Sequence, residues 1–427
     1  MKKLCISAVF TVFLVVTVVS YVLAAGFQVP EQGAASMGMG MGGIAKADDL
    51  SAIYHNPAGL AQLKGTQIYL SSAGISPQAT YTRKGYEGED TKDDLILVPL
   101  FAVSTDFGKF DNLVFAFAVN APFGLRSDYD NLGAQRYMST NISLSSVHIG
   151  PYVAWQAMPK IAIGGGVQYV YSVAEVGQHI NYGGLLNPAL NENPAYDGVF
   201  DVKDASAKNV AANVGILVKP LDKLQIGLMW SSGKDLDIEG DVSLTIPAAV
   251  TQLSGGLMQS LKTTGEATVS LPQVVGLGVA YKPIDNLTLI GDVNWIDWSV
   301  YKNLDFDFKD NTAYFPDAKN PRGYDDTVVF RLGAEYWLHD KYAFRAGYIY
   351  DPSPIPDKVH GPELPTNDRQ NITLGFGYRW NKMTIDLAYA HLFIKDRTVT
   401  ESLRSPKPLG DYECSANVFG IGLTYKF

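Results

Sequence analysis

The sequence predicts an all-β fold, an antiparallel barrel of 14 strands that closes on itself and crosses a membrane. Three observations carry this. Along the second part of the chain, large apolar and aromatic residues alternate with small or polar ones at period two. Short turns alternate with much longer segments rich in Gly, Pro, Asn and Asp. Gly (41), Tyr (24) and Phe (19) favour sheet and tight turns over helix.

The composition narrows the class further. The 427 residues are 47% hydrophobic and 18% charged, too apolar for disorder and too evenly apolar for a helical membrane bundle. A net charge of −9 argues against nucleic acid as a partner. With only Cys5 and Cys414 there is neither a disulfide framework nor a Cys-based metal site, and no cofactor is expected.

The chain opens with Lys2 and Lys3, an apolar run from Leu4 to about Leu23, and small residues at Ala24 and Ala25. This is the pattern of a secretory signal peptide over residues 1–24, cleaved before Ala25. An uncleaved anchor is the alternative, since about 20 apolar residues just span a bilayer. Residues 25–65 follow without strand alternation. They hold a Gly/Met stretch, 36–43, and then Asp48, Asp49 and Ser51, which suit the start of a short helix ahead of Asn56-Pro57. Such a segment either hangs free or plugs the lumen, and its Gly, Met and Ala content favours packing in an irregular interior.

Residues 66–427 form the expected barrel. Ile372, Leu374, Phe376, Tyr378 and Trp380 share one face, and Thr373, Gly375, Gly377 and Arg379 the other. The end repeats this, with Phe419, Ile421, Leu423, Tyr425 and Phe427 against Gly420, Gly422, Thr424 and Lys426. An outward set so large and aromatic is what lipid, not a core, covers. Short turns fall at 107–112, 157–160, 219–223, 282–286, 338–341 and 380–382. With both termini on that side, these turns imply 14 strands, and closure leaves no unpaired edge in lipid. Longer segments at 174–207, 233–265, 300–325 and 352–368 read as outer loops. Trp155, Trp337 and Trp380 stand beside short turns, as an interfacial girdle requires. The outward terminal aromatic, Phe427, resembles the signal read by the barrel-assembly machinery.

The inward faces differ around the barrel. Early strands point Ile96, Val98 and Leu100 inward, then Val114, Ala116 and Ala118. Late strands point Arg331, Glu335, Arg345, Arg379, Asp386 and Lys426 inward. A lumen apolar on one side and charged on the other suits a hydrophobic or amphipathic solute, whereas a water-filled porin is polar throughout. The plainer account has the apolar faces meeting the plug and the charges pairing with each other or with Asp48 and Asp49.

Several ordered motifs resemble the outer-membrane long-chain fatty-acid and aromatic-hydrocarbon transporters, the FadL/TodX family. They are Ala25-Gly26-Phe27-Gln28, the run 47–60 containing Asn56-Pro57-Ala58, Ala121-Pro122-Phe123-Gly124-Leu125 and Trp295-Ile296-Asp297-Trp298-Ser299. Arg331-Leu332-Gly333-Ala334-Glu335-Tyr336, Arg345-Ala346-Gly347-Tyr348 and Ser353-Pro354-Ile355-Pro356-Asp357 complete the set. The resemblance implies a 14-stranded barrel holding a small N-terminal hatch over 25–65, a hydrophobic small-molecule cargo and a monomer set in outer-membrane lipid. It also implies capture in an apolar groove of the outer loops and lateral exit where the third strand kinks. Here that strand begins at Leu113, and Asn120, Ala121, Pro122, Phe123 and Gly124 are the matching place. Pro122 donates no ladder bond, so it either breaks the strand or simply ends it.

Groove candidates are Leu244, Ile246, Val250, Leu253, Leu257, Met258 and Leu261; the spacings from Val250 to Leu261 suit an amphipathic helix. Arg331, Arg345 or Arg379 would hold a carboxylate unless Glu335 or Asp386 neutralises it. Competing functions are a barrel enzyme, a surface adhesin or phage receptor, and a general porin. The six histidines form no HExxH pair, and His148, which alternates with Val147 and Ile149, has no recognisable serine partner.

Overall fold

The structure, a computed structural model, describes residues 26–92, 94–311 and 315–427, so the expected signal peptide and its cleavage point lie outside the described residues. Fourteen antiparallel strands form the wall. They are β1 (Gln67–Arg83), β2 (Ile96–Thr105), β3 (Leu113–Asp128), β4 (Asn141–Met158), β5 (Ile161–Asn181) and β6 (Asp197–Leu221). Next come β7 (Leu224–Ser231, continued as Lys234–Thr245) and β8 (Leu261–Leu271, continued as Val274–Ile284). The last are β9 (Leu287–Ile296), β10 (Thr327–Leu338), β11 (Tyr342–Asp351), β12 (Arg369–Trp380), β13 (Met383–Ile394) and β14 (Gly410–Lys426). β1 pairs with β14 from Gln67↔Lys426 to Arg83↔Gly410, which closes the barrel. Closure gives each backbone group a partner where water is absent.

All six short turns connect strands at one end, and the wall shows the expected faces. On β12, Ile372 and Leu374 are more than half exposed while Asn371 and Thr373 are buried. Trp155 and Trp380 stand exposed beside their turns, and the Phe427 amide donates to the Thr66 carbonyl at 3.0 Å. No helix among the described residues is long and apolar enough to cross a membrane.

At the other end the structure corrects the loop reading. Much of 174–207 and 233–265 is strand: β5 and β6 have 21 and 25 residues, about twice what a tilted strand needs to cross a bilayer. The ladders therefore continue into the extracellular space. The helix expected from Val250 to Leu261 covers only Ala248–Leu253. Gly255 and Gly256, both at positive φ, end it, and Leu261 opens β8 opposite Leu244.

The N-terminal segment runs through the lumen. It contains two short helices, α1 (Ala34–Met37) and α2 (Ala52–His55), then a 3-10 turn, Pro57–Gln62. Asp48 is the one exposed residue between Gly26 and Leu63. Room for it comes from glycines on the inward faces. A Cβ on Gly215 would meet Asn56 Oδ1 at 1.9 Å, one on Gly227 the Ile44 carbonyl at 2.2 Å, and one on Gly347 the Gly40 nitrogen at 2.1 Å. Hydrogen bonds then fix the register. Asp292 Oδ2 accepts from Gly43 N and Ile44 N (2.6 and 3.1 Å), Thr373 Oγ1 from Gly40 N (2.9 Å), and Asn213 Nδ2 donates to the Ile53 carbonyl (2.7 Å). Gly347→Val should therefore push the segment off its seat and destabilise the barrel by about 1–3 kcal/mol, read as a lower midpoint of heat-modifiable gel mobility.

Candidate functional site

The third strand is where the wall is incomplete. β3 pairs with β2 only from Leu100↔Asn120 to Thr105↔Phe115. Its pairing with β4 continues but slips between Asn120 and Phe123, so Ala121 and Pro122 form a bulge. Ile96–Pro99 on β2 keep their β1 partners and have no β3 partner. Pro122 brings no N–H to the ladder, which accounts for a break at this point rather than a residue earlier or later.

The freed β3 edge turns inward and pairs with the N-terminal segment instead. Val29 N donates to the Pro122 carbonyl at 2.8 Å, Gly124 N to the Phe27 carbonyl at 2.9 Å, and Gln32 Nε2 to the Ala121 carbonyl at 3.0 Å. Asn120, Ala121 and Phe123 are all buried. The segment thus stands in for the missing β2 contact.

Two cavities flank this junction. The outer one lies between the extracellular halves of β3 to β8 and is lined by Leu125, Leu144, Val176, Ile238, Val242 and Phe306. Phe27 forms part of its wall, packed edge-on to Trp298 and Tyr301 with ring centroids at 4.8 and 5.4 Å. At its rim Glu363 accepts from Arg322 (2.8 Å) and pairs with Arg404 (2.6 Å). Burial alone would raise the Glu363 carboxyl; Arg404 and Arg322 outweigh it and hold the group down at about 2. The inner cavity is more polar and touches Gln28, Tyr54, Asn120, Phe123, His148 and Arg331. An apolar pocket with a polar tip, followed by a mixed chamber beside the wall's gap, can hold an oily molecule with or without a polar end.

The sequence-predicted residues divide sharply. Asn56 is buried and caps the 3-10 turn by accepting from Ala58 N, with Pro57 in the first turn; its Nδ2 also donates to the Ile44 and Ile216 carbonyls. Val98 and Leu100 point inward, but they pack in the core and line neither cavity. Leu244, Ile246, Val250 and Met258 are buried in the same apolar cluster as the outer cavity without lining it; Leu261 packs against that cluster, while Leu253 and Leu257 are exposed.

Arg331 lines the inner cavity and donates to Asn294 Oδ1. Arg345 is fully engaged, pairing with Glu335 and Asp386 at 2.7 Å each, while Lys46 also reaches Glu335 at 3.1 Å. Arg379 corrects the alternation: it is exposed at the short-turn rim, 4.2 Å over the Trp337 ring, and donates to the Asp340 carbonyl. Two residues from the turn, it lies past the point where the wall encloses a lumen. The outer-cavity residues on β5 to β8 were missed because those stretches read as loops, although their own alternation marks them as inward.

The pattern of one protein family, described as "Outer membrane protein transport protein (OMPP1/FadL/TodX)", matches residues 15–427. The chain is 24% identical over 457 residues to "Outer membrane protein P1" of Haemophilus influenzae, covering 95% of both. It is 22% identical over 442 residues to "Long-chain fatty acid transport protein" of Escherichia coli strain K12, again covering 95% of both. Among solved structures, a Pseudomonas aeruginosa FadL homologue superposes with a TM-score of 0.81 at 20% identity, covering 94% of this chain and all of that one. The Pseudomonas putida toluene transporter TodX gives 0.73 at 16% identity, covering 92% and 98%. A closed barrel with an oily girdle, matched over nearly its whole length, places this chain in the OMPP1/FadL/TodX family of outer-membrane transport proteins.

Proposed function

We propose that the protein mediates passive uptake of hydrophobic compounds, long-chain fatty acids or related lipophilic and aromatic molecules. In this reading the outer cavity captures the cargo, residues 25–65 act as the hatch, and the cargo leaves sideways into the bilayer between β2 and β3. The route supplies binding and passage, not bond-making, so no catalytic residue is assigned. The observation that carries it is the stretch Ile96–Pro99, paired to β1 but not to β3, beside the bulge at Ala121-Pro122 where Phe27 and Val29 bond to β3 instead.

The physical sense is direct. An oily solute gains about 25 cal/mol per Å² on leaving water for an apolar pocket. A side exit then delivers it to lipid without a second passage through water. The names of the relatives support both cargo classes: fatty acid in one, toluene in another. Insertion of the barrel through Phe427 and a monomeric state belong to the same reading.

Proteoliposomes holding the purified chain should take up long-chain fatty acid or an alkylbenzene; passage of small hydrophilic solutes alone would replace this reading with a porin. Pro122→Ala combined with Gly124→Ala should slow uptake about tenfold or more while the heat-modifiable gel shift persists, and unchanged uptake removes the lateral exit. Acid gives a third check. Because the folded Glu363 carboxyl sits at about 2 against an ordinary 4.5, its contribution is present above 4.5 and is lost as pH falls towards 2. Proteolysis of the outer loop 352–368 should therefore stay constant near neutrality and rise only in that acid window.

A further inference from the structure

Not every strand outlasts the bilayer. β12 and β13 have 12 residues each, close to the roughly 9–11 that a tilted strand needs to cross. Gln370 and Phe393, outward-facing and paired in register near the ends of these strands, therefore stand at the outer boundary of the lipid. A hollow opens there on the lipid-facing side of the wall, lined by Tyr348, Tyr350, Gln370, Ile372 and Phe393. Asp368 and Lys395, just beyond the strand ends, close its upper end.

Its shape follows from the register. β12 is the middle strand, and its outward side chains here are Gln370, Ile372 and Leu374. β11 sets Tyr350 beside Gln370 and Tyr348 beside Ile372, while β13 sets Phe393 beside Gln370. Rings on both flanks with shorter side chains between them make a trough along β12. Tyr348 Oη donates to Gln370 Oε1 at 2.9 Å, and His391 packs edge-on to Phe393 at 4.4 Å between ring centroids, so both walls are braced. Above the trough Lys395 N donates to the Asp368 carbonyl at 3.0 Å, and the Asp368 carboxylate accepts from Ser353 N at 3.0 Å. Lys395 is exposed, and no carboxylate lies within 4.0 Å of its ammonium among the described residues.

An oily trough that ends beneath an exposed cation, at the lipid boundary, complements an acyl chain with a phosphate at its head. The outer leaflet of an outer membrane supplies that chemistry as phosphorylated glycolipid. We propose that this trough is a docking site for lipid A of the surrounding leaflet. One acyl chain lies along Ile372 and Leu374, both more than half exposed. A glucosamine phosphate pairs with Lys395, and Asp368 accepts from a sugar amide or hydroxyl of the same molecule. The trough faces away from the lumen, so lipid A is here a fixed neighbour of the wall and not cargo, and the site stands independently of the uptake route.

The purified full chain in detergent should retain added lipid A in native mass spectrometry. It should also bind lipid A roughly tenfold or more tightly than lipid A stripped of its phosphates. Lys395→Met should remove that preference and Lys395→Arg should keep it. Ile372→Trp, which fills the trough, should weaken binding of both forms about tenfold, whereas Lys382→Met at the opposite rim should change neither. Equal affinity of the wild type for the two forms, or an unchanged preference in Lys395→Met, overturns the head-group contact. Binding that survives Ile372→Trp overturns the trough, and phosphatidylglycerol bound as tightly as lipid A overturns the assignment to glycolipid. Should Lys395→Met not reach the heat-modifiable folded form, Lys395→Gln serves under the same outcomes.

Discussion

A backbone in hydrocarbon must satisfy its own hydrogen bonds, and most of this molecule follows from that constraint. It requires a closed wall, hence the seam from Gln67↔Lys426 to Arg83↔Gly410. It also makes any interruption conspicuous. Where Pro122 stops β3 from pairing with β2, the orphaned edge finds partners on the N-terminal segment, through Val29 and Phe27. The break in the wall and the content of the lumen are thus one arrangement: neither is satisfied without the other.

The charged lumen obeys a related rule. Arg345 between Glu335 and Asp386, with Lys46 on Glu335, is a buried network in which each charge has an opposite neighbour. Such a network is costly to break and specifies how the segment lies against β10, β11 and β13. Lys234 differs from Lys46, Arg345 and Arg369, with an aromatic ring where those three have a carboxylate.

Much of this was legible in the sequence, for a physical reason. In a barrel wall, side-chain parity and turn chemistry are local properties, so the six turns, the lipid face and the start of β3 at Leu113 could be read without knowing any neighbour. Pro122 was legible for the same reason, since its missing donor acts wherever it sits. What stayed hidden depends on distance through space. Arg379 has inward parity, yet the wall ends before it can face a lumen. Residues such as Val176, Val202 and Val242 lie in stretches rich in turn-formers, and only their partners on the next strand show that the ladder continues there. The apolar series near Val250 suggested a helix, but Gly255 and Gly256 halt it after one turn and a half. Trp298 was visible as part of a motif, while its task of backing Phe27 was not.

The glycine row beneath the N-terminal segment has a consequence for how firmly that segment is held. Positions such as Gly215, Gly227 and Gly347 receive it by leaving space, not by supplying charge. Sliding away from them uncovers oily surface and a hollow, and it also gives up the Lys46–Glu335 pair and the backbone bonds of Phe27 and Val29 to β3. A guest that is itself oily can occupy the same hollow and cover the same surface. The glycines thus supply shape alone, and the charged and backbone contacts supply the hold.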